Sequence, residues 1–196
     1  MTRPCLNKNT VRLVYSRVLE AAFLEEHVAD VCWVRHEGAI AVDIDELQSK
    51  IDRLESRQAI EDLASLYCHG FDKRDEARFL SIWWEDCVWA IGPPFGDFAG
   101  HGGVLSALHD VLWPAWDMSQ HITSNQVVEF SDPDHATACC DVDCTGLLAG
   151  SSDATFVGAT YTDQVERRQG IWKIRQRDVA IHYFNSFEGD TLSKPE

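Results

Sequence analysis

Residues 121–183 read HITSNQVVEFSDPDHATACCDVDCTGLLAGSSDATFVGATYTDQVERRQGIWKIRQRDVAIHY. Apolar and polar residues alternate over His121–Phe130, Ala136–Leu148, Thr155–Arg167 and Ile171–Tyr183, the period of a strand with one buried face. Turn-forming residues separate them: Ser131-Asp132-Pro133-Asp134, Gly150-Ser151-Ser152-Asp153 and Gln169-Gly170. Three consecutive hairpins make a strongly bent antiparallel sheet.

Upstream of this sheet the period lengthens to that of a helix. Leu47, Ile51 and Leu54 recur at heptad-like spacing from a start near Asp45, and Ile60, Leu63, Ala64 and Tyr67 continue the stripe. Gly70 is the expected stop, and one helix or two with a break near Ser56 both fit. Asp75–Trp83 reads as a second helix, with Ala77, Phe79, Leu80 and Trp83 inward. Cys87–Ile91 reads as a strand closed by Gly92-Pro93-Pro94, and Gly102–Leu112 as a third helix ended by Pro114. Helices followed by sheet predict an α+β domain with the helices on one face and a cavity at the sheet's open mouth. The domain is expected over residues 45–188, with a tail at 189–196. Residues 1–44 are a separate extension, in which Val11, Val14, Val18, Ala22 and Leu24 hint at an amphipathic helix. That segment is either a regulatory or oligomerising element or a poorly ordered tail.

Composition narrows the function classes. The 196 residues carry a net charge of −15, a balance that repels phosphate backbones and anionic lipid, so no nucleic acid or membrane partner is expected. No apolar run approaches a membrane span and no signal peptide is evident at the N-terminus, so the protein is expected in the cytoplasm. Seven cysteines, an odd number, fit a reducing compartment. Cys139 and Cys140 are adjacent on one strand and point to opposite faces, and no paired CxxC is present. His69, His101, His109 and His182 match no compact ligand spacing, so no metal is expected. The Gly-His-Gly-Gly run at 100–103 reads as a turn into the third helix rather than a phosphate cradle. Seven Trp and nine Phe can wall an apolar chamber or simply pack a core.

Four polar residues stand where the hydrophobic pattern does not require them. Asp72 follows Gly70, where an aspartate also suits a helix cap. His121 opens a strand, where a lone histidine is commonly structural. Arg177 alternates with Arg175 on the last strand, and one of the two faces the cavity. Tyr67 lies on the helical stripe, the ordinary place of a core tyrosine. Trp113, Asn125 and His182 are candidate pocket-lining residues. Asp141 and Asp143 share one face of their strand, either cavity-facing or solvated.

Taken with several longer stretches, these residues carry a resemblance. The stretches are Asp72-Lys73-Arg74, Ser81-Ile82-Trp83-Trp84-Glu85-Asp86, Val111-Leu112-Trp113-Pro114, Thr160-Tyr161-Thr162-Asp163 and Glu166-Arg167-Arg168-Gln169-Gly170-Ile171-Trp172-Lys173. From about Asp52 to Phe187 the chain resembles the SnoaL-like family of the nuclear-transport-factor-2-like superfamily, and within it the hexachlorocyclohexane dehydrochlorinases. Scytalone dehydratase and bile-acid dehydratase are more distant relatives on the same barrel. The resemblance implies a cone-shaped α+β barrel of curved sheet and three helices, a homotrimer, and a cofactor-independent lyase acting on a small apolar cyclic substrate. It places the family's catalytic aspartate on Asp72, its histidine on His121 and its cavity arginine on Arg177. Tyr67 stands where the dehydrochlorinases carry a catalytic lysine and the dehydratases a tyrosine. An isomerase or polyketide cyclase, and a ligand-binding module without catalysis, are the alternatives on the same fold.

The chemistry suits those roles. Elimination removes a C–H proton, for which an imidazole titrating near neutrality is a suitable base. A buried carboxylate beside it fixes the tautomer and stabilises the imidazolium. The group that departs does so with negative charge, which Arg177 and Tyr67 can meet in a dry cavity.

Overall fold

The computed structural model describes residues 43–192. The amphipathic helix expected between Val11 and Leu24 lies outside them. The chain divides into two compact units, one ending at Arg53 and the other beginning at Leu54. In the first, residues 43–53 are the start of a helix. Asp43 Oδ1 accepts the Asp45 and Glu46 amides at 3.0 and 3.3 Å, which satisfies amides the helix leaves unpaired.

That helix, α1 (Ile44–Asp72), is continuous through Ser56. In the second unit Ile60, Leu63, Ala64, Tyr67, Cys68 and Phe71 are its buried apolar side chains, the i, i+3, i+4 recurrence of a helix with one apolar face. Leu54, the last of the heptad-like residues, is exposed instead. Gly70 does not end the helix. A Cβ there would lie 2.8 Å from the Phe79 amide nitrogen, so its lack of a side chain lets α1 approach α2 (Glu76–Ser81) closely. Gly70→Ala is expected to destabilise the fold by about 1–3 kcal/mol, the usual cost of overpacking. Urea unfolding checks this, and an unchanged midpoint would show that α2 can shift freely. Between the helices Arg74 adopts φ 52°, and its guanidinium donates to the carbonyls of Trp113 and Trp116 at 3.2 and 2.6 Å. Asp75 caps α2 by accepting the Arg78 amide at 3.0 Å.

The six-stranded sheet comprises β1 (Trp83–Gly92), β2 (Gly96–Ala99), β3 (Trp116–Phe130), β4 (His135–Leu148), β5 (Asp153–Arg168) and β6 (Ile171–Thr191), in the order β2-β1-β6-β5-β4-β3. The three expected hairpins are present as β3–β4, β4–β5 and β5–β6, all antiparallel, while β1 joins β6 in parallel. β2 was not expected; it pairs back on β1 after the Gly92-Pro93-Pro94 turn. β6 runs to Thr191, so the tail expected from 189 begins as strand. The third helix, α3 (Gly100–Ser106), passes into a π-helical turn over Ala107–Leu112 and a last turn at Trp113–Ala115. Pro114 does not end the segment before it, because it sits in the first turn of that last piece, where no amide donor is needed.

Alternation along β4 and β5 turns Cys140, Val142, Cys144, Ala159 and Tyr161 inward. On this concave face they pack with Phe79, Trp83, Trp89 and the buried stripe of α1. Asp141 and Asp143 take the outer face. The Tyr183 hydroxyl donates to Asp143 at 2.9 Å, with the Tyr183 ring lying where a Cβ on Gly158 would otherwise stand, 2.2 Å away.

Candidate active site

The concave face lines a partly open cavity of about 80 Å³, walled by Tyr67 and Phe71 of α1, Trp89 of β1, His121 of β3, Cys144 of β4 and Tyr161 of β5, among others. An enclosed void that holds benzene is nearer 150 Å³. A ring-sized ligand would therefore extend past the closed part towards Ile181 and Phe184, which also line the cavity and are partly exposed.

Asp72 is the last residue of α1, and His121 faces it from β3. The His121 Nδ1 stands 2.6 Å from Asp72 Oδ1, the His121 amide donates to Oδ2 at 2.7 Å, and the Ser119 hydroxyl donates to Oδ1 at 2.7 Å. Burial works to raise the Asp72 carboxyl, but the His121 and Ser119 bonds outweigh it and hold the group below its ordinary value. Asp72 therefore stays ionised and fixes the ring with Nδ1 protonated, leaving Nε2 as the nitrogen available to a ligand. His121 lines two spaces: the apolar cavity, and a polar groove shared with Asp72, His69, Lys73 and Ser119.

Tyr67 and Tyr161 are both buried, and the Tyr161 hydroxyl donates to that of Tyr67 at 3.5 Å. Burial pushes both phenols well above their ordinary values, so they are neutral donors at pH 7. Arg177 lies with its guanidinium carbon 4.3 Å from the centre of each ring. Asp163 binds it through two hydrogen bonds of 2.7 and 2.6 Å. Burial opposes the charge on Arg177, and the Asp163 carboxylate more than offsets that and keeps it protonated. Burial pushes the Cys68 thiol up to about 11 and Cys144 to about 12, which favours the protonated thiol in both.

A SnoaL-like domain model matches residues 52–178. The chain belongs to the SnoaL-like family. Hexachlorocyclohexane dehydrochlorinase 1 of Sphingobium indicum is 37% identical to this SnoaL-like protein over 147 residues, which is 75% of this chain and 95% of that one. The crystal structure of LinA matches with a TM-score of 0.72 at 37% identity, covering 75% of this chain and 99% of that one. A scytalone dehydratase-like protein of Novosphingobium aromaticivorans is 19% identical and shares the fold, with a TM-score of 0.64 over 75% of this chain and 99% of its own.

In this SnoaL-like protein the expected Asp72, His121 and Tyr67 come together, and Arg177 joins them from behind the tyrosine rings. Arg177 is fully buried and does not line the cavity; the cavity arginine that the resemblance implied stands behind the tyrosine rings instead. Three expected lining residues fall elsewhere. Trp113 is packed in the core, with its indole N–H donating to the Phe71 carbonyl at 3.1 Å. Asn125, at φ 54° beside a β-bulge, is turned to the outer face, where it donates to Asp141 at 2.9 Å. His182 bonds Thr160 on the same outer face at 2.8 Å. Among the described residues no group of three or more His, Cys, Asp or Glu is placed to hold a metal ion, and no helix is long and apolar enough to cross a membrane. The residues that sequence reasoning missed are Ser119, Tyr161 and Asp163.

Proposed function

We propose that this protein is a lyase that eliminates water or halide from a small, largely apolar cyclic substrate without a cofactor. The observation carrying this reading is the 2.6 Å contact of Asp72 with His121, which leaves the imidazole facing an apolar chamber. It is supported by the identity to dehydrochlorinases. His121 Nε2 takes a proton from carbon, the electron pair forms the new double bond, and the neighbouring C–X bond breaks. Asp72 stabilises the imidazolium so formed. The step is redox-neutral and needs no electron carrier.

Tyr67 decides the leaving group. Chloride departs as a stable anion, whereas hydroxide must be hydrogen-bonded or protonated as it leaves. A neutral phenol meets the second need better than the first. Preference for an alcohol over the matched chloride is the expected result, with Tyr67→Phe lowering the rate about 10²–10³-fold, the scale of one lost oxyanion donor. Mass spectrometry of products from matched alcohol and chloride substrates tests it. Efficient chloride release with no water loss overturns the assignment of Tyr67, and turnover without mass change identifies an isomerase.

We also propose a homotrimer. Ile122, Phe156 and Phe187 are exposed, and association would bury such apolar surface. A monomer by light scattering at micromolar concentration contradicts this.

A further inference from the structure

The Asp72 carboxylate accepts hydrogen bonds from two residues of β3. The His121 ring and the Ser119 hydroxyl share Oδ1, at 2.6 and 2.7 Å, and the His121 amide takes Oδ2 at 2.7 Å. A β-bulge between Trp116 and Met118 makes this possible. It shifts the phase of the strand by one residue, so Trp116 faces the cavity while Ser119 and His121, two residues apart, both turn towards Asp72. The side chains of His121 and Asp72 are 10% and 13% exposed, so water competes little for these bonds.

We propose that Ser119 is a positioning residue that sets the working pH of the base, by sharing with the His121 ring the oxygen that stabilises the imidazolium. This rests on the reading of His121 as the base. A carboxylate that accepts a further hydrogen bond is more stable as an anion and draws less strongly on each proton it holds. Orienting the ring needs a carboxylate, but a strongly basic one would also keep the imidazole protonated and unable to take a proton from carbon. Ser119 lets Asp72 fix the tautomer while restraining that pull. Burial works to raise the Asp72 carboxyl, yet the group is held below its ordinary value, and Ser119 supplies one of the responsible bonds that does not come from the base itself.

The groups facing the pair from other elements leave this task to Ser119. From α1, Tyr67 stands edge-on to the imidazole with ring centres 6.1 Å apart, and Cys68 lines the groove beside it. From β4, Cys144 is the register partner of His121, and from β5 Tyr161 lines the same cavity. Burial holds all four protonated at pH 7. Arg177, behind the tyrosine rings, is matched by Asp163. His69 and Lys73 also line the groove, where the Lys73 ammonium donates to His69 Nδ1 at 2.8 Å rather than to Asp72.

Nuclear magnetic resonance of the whole protein, with the histidine nitrogens isotopically labelled, reads this without substrate. The His121 signals are those lost in His121→Ala. Ser119→Ala should raise the midpoint of the His121 titration by about 0.5–1 pH unit, the scale of one hydrogen bond. The sign follows from the loss: without the hydroxyl, Asp72 pulls harder on the Nδ1 proton, and the imidazolium persists to higher pH. That proton's resonance should move downfield as its bond strengthens. Ser119→Thr keeps a hydroxyl and should leave both readings near wild type. On an alcohol substrate, Ser119→Ala should lose about 3–10-fold in rate along the acid limb of the pH profile, the same shift expressed as a rate, and less than about threefold on the plateau. A serine that merely packs the strand would lower the rate equally at every pH and move neither signal. An unmoved or lowered midpoint in Ser119→Ala, or a threonine variant shifted as far as the alanine one, overturns the proposal. The resonance readings need no turnover: if they shift as expected but no alcohol is eliminated, the role of Ser119 stands and the lyase reading fails.

Discussion

His121→Ala and Asp72→Asn should each slow elimination by about 10²–10⁴-fold while leaving the fold intact, the range typical of a lost general base. The argument is geometric. Asp72 spends both oxygens on His121, one on the ring and one on the backbone amide. An amide in its place offers one acceptor and one donor, and the donor turned to Nδ1 would select the wrong tautomer. Because base and orienting carboxylate act as a unit, the double variant should lose little beyond either single one. Single-turnover rates on an alcohol substrate, with circular dichroism on the same samples, measure both quantities. Two variants with wild-type rates would reduce Asp72 and His121 to structural residues.

The largest expected effect on stability lies at the buried ion pair of Arg177 and Asp163. Arg177 is fully buried, and the Asp163 side chain is 8% exposed. Asp163→Ala leaves a buried guanidinium without its counter-charge, and such losses cost about 3–5 kcal/mol. Replacing both partners by apolar residues removes the charge and its partner together, so Asp163→Leu with Arg177→Met should recover most of that loss. Guanidinium unfolding of the single and double variants gives the comparison. A single variant as stable as wild type would mean that water or another group reaches Arg177.

The sheet was legible because β3 to β6 alternate cleanly and are separated by Pro, Gly and Asp turns. The dyad was legible through the family stretches around Asp72, and β3 does bring His121 to it. What escaped the sequence reading has identifiable physical causes. By simple alternation His121, Thr123 and Asn125 would share a face, but the bulge between Ser124 and Val127 turns Asn125 outward, and a bulge leaves little trace in composition. His182 lies an odd number of residues from Arg177, so period-two parity already opposed placing both in the cavity. A second bulge, near Ile181 and Tyr183, then restores Phe184 to the inner wall. Asp163 was also within reach: it has the inward parity of Tyr161 and Val165, and a carboxylate facing a core needs a cation. The π-helical turn before Trp113, in which Ala107, Leu108 and Leu112 are buried, keeps the apolar spacing of an ordinary helix and so has no comparable local signature.

The amide of His121 that Asp72 holds has a further significance. β3 is the last strand on its side of the sheet, and this N–H is bound by a side chain rather than by a neighbouring strand. Exposed edge strands are templates for unwanted pairing between chains, which proteins commonly block with charge. Asp72 places a carboxylate against that edge, so the residue that orients the imidazole also guards the sheet against growing by another strand. Variants at Asp72 should therefore aggregate on storage faster than variants at His121, a difference in shelf life between two residues that share one catalytic task.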